Sequence, residues 1–147
     1  MTPMEIALRE AKDAAARGEV PVGAVVTDAA GNVLAVAGNE VEAGGDASAH
    51  AEMLALRRAA KALGTKYMLD CTLSVTLEPC AMCAGAIAAF RVKRLVFGAY
   101  DAKSGAVEHG ARVFMQATTH HKPEVIGGVE EVAAGEMLRA FFEGRRG

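Results

Sequence analysis

The sequence predicts an α/β domain of three layers, with a central mixed sheet of about five strands and helices on both faces. Three observations predict it. Two short apolar runs, at 72–78 and 94–99, flank an Ala-rich helical stretch, and strand–helix–strand alternation implies parallel pairing with a right-handed crossover. Earlier, "VPVGAVVTD" and "VLAVAG" flank a turn, "AGN", which reads as a hairpin and adds antiparallel pairing. Helical periodicity frames these strands near both ends of the chain.

Taken in order, residues 3–17 carry apolar Met4, Ile6, Ala7, Leu8, Ala11, Ala14 and Ala15 as an imperfect helical stripe, and Gly18 ends it. The hairpin follows. Residues 39–49 are rich in Gly and acidic side chains and read as loop. A helix is expected from about His50 to Leu63. "TLSVTLE" at 72–78 is a strand, 80–90 a short helix and 94–99 another strand. The stretch after Asp101 reads as loop with a short helix. A last strand is expected around Val125, and "EEVAAGEMLRAFF" closes the chain as an amphipathic helix.

The composition fits this picture. At 147 residues the chain has enough length for one domain spanning 1–147 and too little for two. Hydrophobic residues make up 52% and argue against disorder; aromatics are 5% with no Trp, so Ala and Gly must let elements approach closely. No apolar run is long enough to span a bilayer, and the N-terminal stretch mixes charges into a helical pattern, unlike a signal peptide. A cytoplasmic protein without membrane contact is expected. Three cysteines do not make a disulfide framework. A net charge of −2 and a pI near 6.1 exclude a generally basic nucleic-acid binder, so any such contact must rest on a local basic surface.

Two fragments carry chemistry. His50 and Glu52 stand at the start of one expected helix, and Cys80 and Cys83 open another behind Pro79. Cysteines three apart share one helical face, and a helix N-terminus favours thiolate. One imidazole and two thiolates suit Zn2+, one ion per subunit; three protein ligands are the number of a catalytic site, four that of a structural one. Bound zinc brings the pKa of a coordinated water near neutrality, and a carboxylate that is not a ligand can move protons beside it. Glu52 is placed for that catalytic role. Alone, the cysteines would read as small buried residues and His50–Glu52 as a charged helix start. A structural site would recruit Cys71, His109, His120 or His121 as fourth ligand.

"HAE" followed by "PCAMC" is the signature of the zinc-dependent cytidine and deoxycytidylate deaminase-like superfamily. "EVPVGAVV", "GN" at 38–39, "AHAEMLALR", "VTLEPCAMCAGAI", "VFGAYDAKSGA" and "FFEGRR" resemble, in order and over most of the chain, the bacterial tRNA-specific adenosine deaminases. The resemblance implies the cytidine deaminase-like fold and conversion of adenosine to inosine at the wobble position of a tRNA anticodon, that of an arginine tRNA. It further implies a homodimer that binds the anticodon loop across both subunits. In this resemblance Asn39 matches a position that hydrogen-bonds the flipped base. Asp101, Lys103 and Ser104 match a loop that approaches the target nucleotides, and Arg145 and Arg146 match a basic end that contacts RNA. The chain departs from the pattern at Glu40, Ala47, Ser48, Ser74, His120, Glu143 and Gly144, none of them in the metal set.

Plainer readings stand beside these. Asn39 after Gly38 is also a turn residue bonded locally. Asp101 and Lys103 also read as a solvated pair, and Arg145 and Arg146 as a frayed tail. Phe141 and Phe142 read as core anchors of the last helix, and Cys71 as a buried inert thiol. Two other functions use the same residues: deamination of a free nucleobase or nucleoside, favoured by the near-neutral charge and Glu40, and a zinc-stabilised RNA-binding subunit without turnover, opposed by the presence of Glu52.

Overall fold

The computed structural model describes residues 1–146, with the side chain of Arg146 outside the described set. Helix α1 (Pro3–Ala16) begins with a capping box, Thr2 and Glu5 each binding the other's backbone N–H. Strands β1 (Gly23–Thr27) and β2 (Val33–Gly38) form the expected hairpin, paired antiparallel from Gly23↔Gly38. The strand begins later than the apolar run because Pro21 has no N–H to give a ladder, and Val22 instead bonds back to the carbonyl of Val20. The 39–49 loop contains a one-turn helix α2 (Val41–Gly44). Helix α3 (Ala51–Leu63), strand β3 (Thr72–Leu77), helix α4 (Ala81–Ala89) and strand β4 (Arg94–Ala99) follow. A 3-10 turn at Val113–Met115, strand β5 (Glu124–Ile126) and helix α5 (Glu131–Arg146) complete the chain.

The sheet order is β2-β1-β3-β4-β5. β1 pairs antiparallel with β2 and β3, while β3, β4 and β5 run parallel. α1 and α5 cover one face; α3 and α4 cover the other. The result is the three-layer mixed sheet the alternation predicts. The main core lies under α3 and α4, built on Leu56, Met68, Leu73, Ile87, Leu95 and Phe97.

On the α1 face the packing is so close that side chains almost disappear. Ala7, Ala11 and Ala14 are fully buried, and a Cβ placed on Gly23 would sit 1.9 Å from the carbonyl oxygen of Ala7. The scarcity of aromatics and the wealth of Ala and Gly thus translate into helix backbone lying nearly on strand backbone. Among the described residues no helix is long and apolar enough to cross a membrane.

Candidate metal centre and the pocket around it

Leu77 pairs with Ala99 at the carboxyl ends of the parallel strands. The β1–β2 ladder places Gly38 opposite Gly23 at that same end. Ligand sites of open α/β sheets lie beyond such strand ends. Both chemical fragments emerge here, on the first residues of α3 and α4.

His50 and Cys80 are the N-cap residues of these helices, each with extended backbone, and neither uses its side chain as a cap. Caps are ordinarily Ser, Thr, Asp or Asn, whose oxygen satisfies a free helical N–H. Here the cap side chains are turned to another purpose. The N–H of Ala51 is met from a distance by the Asn39 side-chain oxygen at 2.8 Å.

The Nδ1 atom of His50 lies 3.7 Å from Cys80 Sγ and 3.6 Å from Cys83 Sγ. Tetrahedral zinc, with Zn–N of about 2.0–2.1 Å and Zn–S of about 2.3 Å, separates nitrogen and sulfur donors by about 3.6 Å. The donor set therefore fits zinc without rearrangement. Among the described residues the cluster consists of these three groups alone. The other candidates for a fourth ligand are engaged elsewhere or solvent-facing: Cys71 is buried at the start of β3, His109 binds Glu78, His121 binds the carbonyl of Val92, and His120 is exposed. The electrostatics ask for a cation. Hydrogen bonding from Cys83 holds the Cys80 thiol down at about 4, whereas the Cys80 thiolate and burial push the Cys83 thiol far up. Two thiolates side by side at the base of this cavity need a positive charge to coexist.

Glu52 lies in the first turn of α3 and is only 4% exposed. Burial pushes its carboxyl up to about 7, and the neighbouring Cys80 thiolate adds to the rise. A group poised near neutrality both accepts and returns a proton.

His50, Glu52 and Cys80 line a cavity of ≈ 330 Å³ with walls from Val22, Leu77 and Asn39, while Cys83 lies buried behind it. Asn39 is not a locally bonded turn residue. Its side chain reaches Ala51, and its carbonyl accepts from Arg17 at 3.3 Å, so it is a fixed, buried wall. Asp101 and Ser104 also line the cavity. Asp101 folds its own loop, its Oδ1 accepting from the N–H groups of Lys103 and Ser104; among the described residues no ion pair joins it to Lys103. Lys103 lines an adjoining groove of ≈ 770 Å³ rather than the cavity itself. Arg145 reaches both. Its Nη2 donates to the carbonyl of Gly18 at 2.6 Å, and its guanidinium lies 4.5 Å from the Phe141 ring centroid. Arg145 is thus a helical residue, not part of a frayed tail; α5 runs on through "FFEGRR" because no Pro intervenes. Phe142 is 47% exposed and lines the groove instead of anchoring the core, since these last turns pass beyond the sheet toward the α1–β1 connection. The RNA contact expected of Arg146 falls on a side chain outside the described residues.

Two further residues belong to the site without an expected role. Glu19 and Glu78 are buried carboxylates at the pocket wall. Glu19 accepts from the N–H groups of Glu42 and Ala43 at 3.0 and 2.8 Å. Burial pushes its pKa up, but these donors and Arg17 outweigh it and hold the carboxyl below the usual range. Glu78 accepts from the N–H groups of Asp101, Val107, Glu108 and His109 and from the His109 ring. There too the donors overcome burial. Each is a charged residue beside an apolar strand, within the stretches "EVPVGAVV" and "VTLEPCAMCAGAI" that carry the resemblance.

A family model of the cytidine and deoxycytidylate deaminase zinc-binding region matches residues 2–99, which include His50, Glu52, Cys80 and Cys83. The chain is 49% identical over 144 residues to the tRNA-specific adenosine deaminase of Agrobacterium fabrum (strain C58), covering 97% of this chain and 93% of that protein. It superposes with a TM-score of 0.90, at 48% identity, on a structure from studies of A-to-I editing by tRNA:A34 deaminases at the wobble position of transfer RNA; the match covers 92% of this chain and 98% of the other. A guanine deaminase from Nitrosomonas europaea matches at a TM-score of 0.77 and 26% identity, over 95% of this chain and 82% of its own.

Proposed function

The chain belongs to the cytidine and deoxycytidylate deaminase family with its zinc-binding region, and we propose that it hydrolytically deaminates adenosine to inosine at the wobble position of a tRNA anticodon. One observation carries the reading: three converging donors stand beside a fully buried carboxylate in an open cavity. A structural zinc site closes with a fourth protein ligand and needs no acid.

His50, Cys80 and Cys83 would hold the zinc. When bound, it supplies a water nucleophile activated near neutral pH. Glu52 takes the proton that the attacking water releases and passes it to a ring nitrogen of adenine; it then takes the second proton, from the newly attached hydroxyl, and gives it to the departing amine. The water oxygen bonds to the ring carbon, the exocyclic C–N bond breaks, and ammonia leaves. The closed surroundings of Glu52 strengthen its interaction with the charge that develops on the ring. Asn39, whose oxygen is engaged by Ala51, offers its amide N–H groups to acceptors on the base. Asp101 and Ser104 form the opposite wall.

The adjoining groove supports an RNA substrate. It presents Tyr100 and Phe142 beside Lys103 and Arg145, that is, aromatic faces next to cations, the combination that receives splayed single-stranded nucleotides. An adenine stacked in a duplex could not enter, whereas a loop nucleotide is extruded at modest cost. Glu40 does not oppose this, because it is paired with Arg58 at 2.8 Å and that pair is locally neutral. Arg146 extends the same basic end by its place in the sequence. A homodimer spanning the anticodon loop belongs to this reading, and sedimentation at micromolar concentration should return twice 15.2 kDa; a monomer under those conditions overturns it.

The test is incubation of zinc-loaded protein with an arginine-tRNA anticodon stem-loop bearing wobble adenosine. Free adenosine, cytidine and guanine run in parallel, with inosine and ammonia as readouts. Inosine in the stem-loop is expected. Ammonia from a free base with the stem-loop untouched keeps the zinc chemistry and moves the substrate to a nucleobase. No product from any of them leaves a binding subunit.

A further inference from the structure

We propose that Glu78 is a positioning residue for the substrate loop: its buried carboxylate ties the 101–109 segment to the strand end that leads into the metal ligands, and so sets the distance between the outer wall of the pocket and the reacting centre. Glu78 is the first residue after β3 and stands two positions before Cys80. Its own N–H bonds to the carbonyl of Ala99 at 2.8 Å, which anchors it to β4. From this fixed point the side chain reaches across the loop. Oε1 accepts from the Asp101 N–H at 3.0 Å and faces His109 Nδ1 at 2.8 Å. Oε2 accepts from the N–H groups of Val107, Glu108 and His109 at 3.1, 2.9 and 3.1 Å. Both ends of the loop are therefore gathered on one carboxylate.

The span between them is shaped to match. The Pro79 carbonyl accepts from Ala106 N–H at 2.8 Å, so the loop is held on both sides of the rigid proline. Gly105 lies directly against the carboxylate, where an added Cβ would stand 2.5 Å from Glu78 Cδ and 2.5 Å from the Asp101 carbonyl oxygen. Asp101 in turn organises the N–H groups of Lys103 and Ser104. The substrate-facing residues of this loop, Asp101, Lys103 and Ser104, thus trace back, bond by bond, to Glu78. A buried carboxylate is tolerable only when donors surround it, and here nearly all of them are backbone amides of a single loop. The loop it holds forms a substrate-facing wall and carries no reacting group, so a displaced loop weakens substrate binding and leaves the chemical step in place, a loss that reads out in KM.

Two variants of the zinc-loaded full chain test this. Glu78→Gln keeps the volume but turns an N–H group toward amides that also donate. Gly105→Ala pushes the loop off the carboxylate from the other side and leaves Glu78 intact. Hydrogen exchange should accelerate at the amides of Asp101, Val107, Glu108 and His109 by roughly 10–100-fold, the loss of a hydrogen bond to a charged group. Zinc content should stay at one per chain. With the anticodon stem-loop as substrate, KM should rise roughly tenfold or more while kcat changes little. Unchanged exchange and unchanged KM in both variants overturn the proposal. Lost zinc or lost kcat with KM intact does so as well, because Glu78 would then serve the metal centre. The kinetic arm rests on the RNA reading above. If the unaltered protein fails to edit the stem-loop, that reading falls, while exchange and zinc content still decide the loop clamp.

Discussion

Replacing Glu52 by Gln separates chemistry from folding in opposite directions. The carboxyl is pushed from an ordinary 4.5 up to about 7, chiefly by burial, so the folded state holds its proton more tightly than the unfolded chain does. At about 1.36 kcal/mol per pKa unit this amounts to at most about 3 kcal/mol. The sign follows from the raised value. Below pH 4.5 both states are protonated and there is no penalty. Between 4.5 and about 7 the unfolded state alone gives up its proton, and stability falls. Above about 7 the full penalty applies. In zinc-free protein Glu52→Gln should therefore match the unaltered chain near pH 4.5 and exceed it at pH 8. At about 2–4 °C per kcal/mol for a chain of this size, the gain is up to roughly 10 °C in Tm. Deamination by the zinc-loaded variant should fall about 10²–10⁴-fold in kcat, the contribution of a positioned acid–base group, with zinc retained. Scanning calorimetry at the two pH values, metal analysis and single-turnover inosine formation check these outcomes. A variant that is less stable at pH 8, or that keeps its activity, refutes the reasoning that Glu52 is a buried proton carrier.

Other perturbations address the frame around it. Gly23→Ala should destabilise by about 3 kcal/mol or more, beyond ordinary overpacking, because the new Cβ meets main-chain atoms of α1 that cannot rotate away; urea denaturation reads it, with Gly135→Ala as the contrasting case where nothing lies within 4 Å and a gain of up to about 1 kcal/mol is expected. Glu19→Gln should lower stability at pH 7, and because the Glu19 pKa is depressed in the fold, the difference from the unaltered protein should shrink as pH falls below the usual carboxylate range. A difference independent of pH would show that Glu19 acts by shape alone. His50→Ala or Cys80→Ala should leave zinc substoichiometric after dialysis and abolish deamination, since two remaining donors cannot complete the site; full zinc retention would remove that residue from the ligand set.

Much of this molecule is legible from local pattern. Periodicity and turn residues mark the hairpin, the parallel pair and the framing helices, because each depends on residues within one element or its immediate neighbour. The metal donors are legible for a similar reason: H-x-E and P-C-x-x-C place the reactive side chains at helix starts, where their chemistry depends on the first turn. The limits of β1, the one-turn α2 and the extension of α5 through Arg145 are less visible, being set by a missing proline N–H, a loop closed at Glu40–Ala49, and a contact with Gly18 far away in the chain.

The sequence by itself determined which side chains are the candidates to hold metal and carry protons, since imidazole, thiolate and carboxylate are chemically distinct and their spacing is short. Only the tertiary structure decided how the pocket is built around them. It brought two helix starts together at the strand ends, used Asn39 to satisfy Ala51, and bound two loops to Glu19 and Glu78. Those partners are backbone N–H groups, the same in nearly every residue, so no residue type announces them and only the folded path of the chain can.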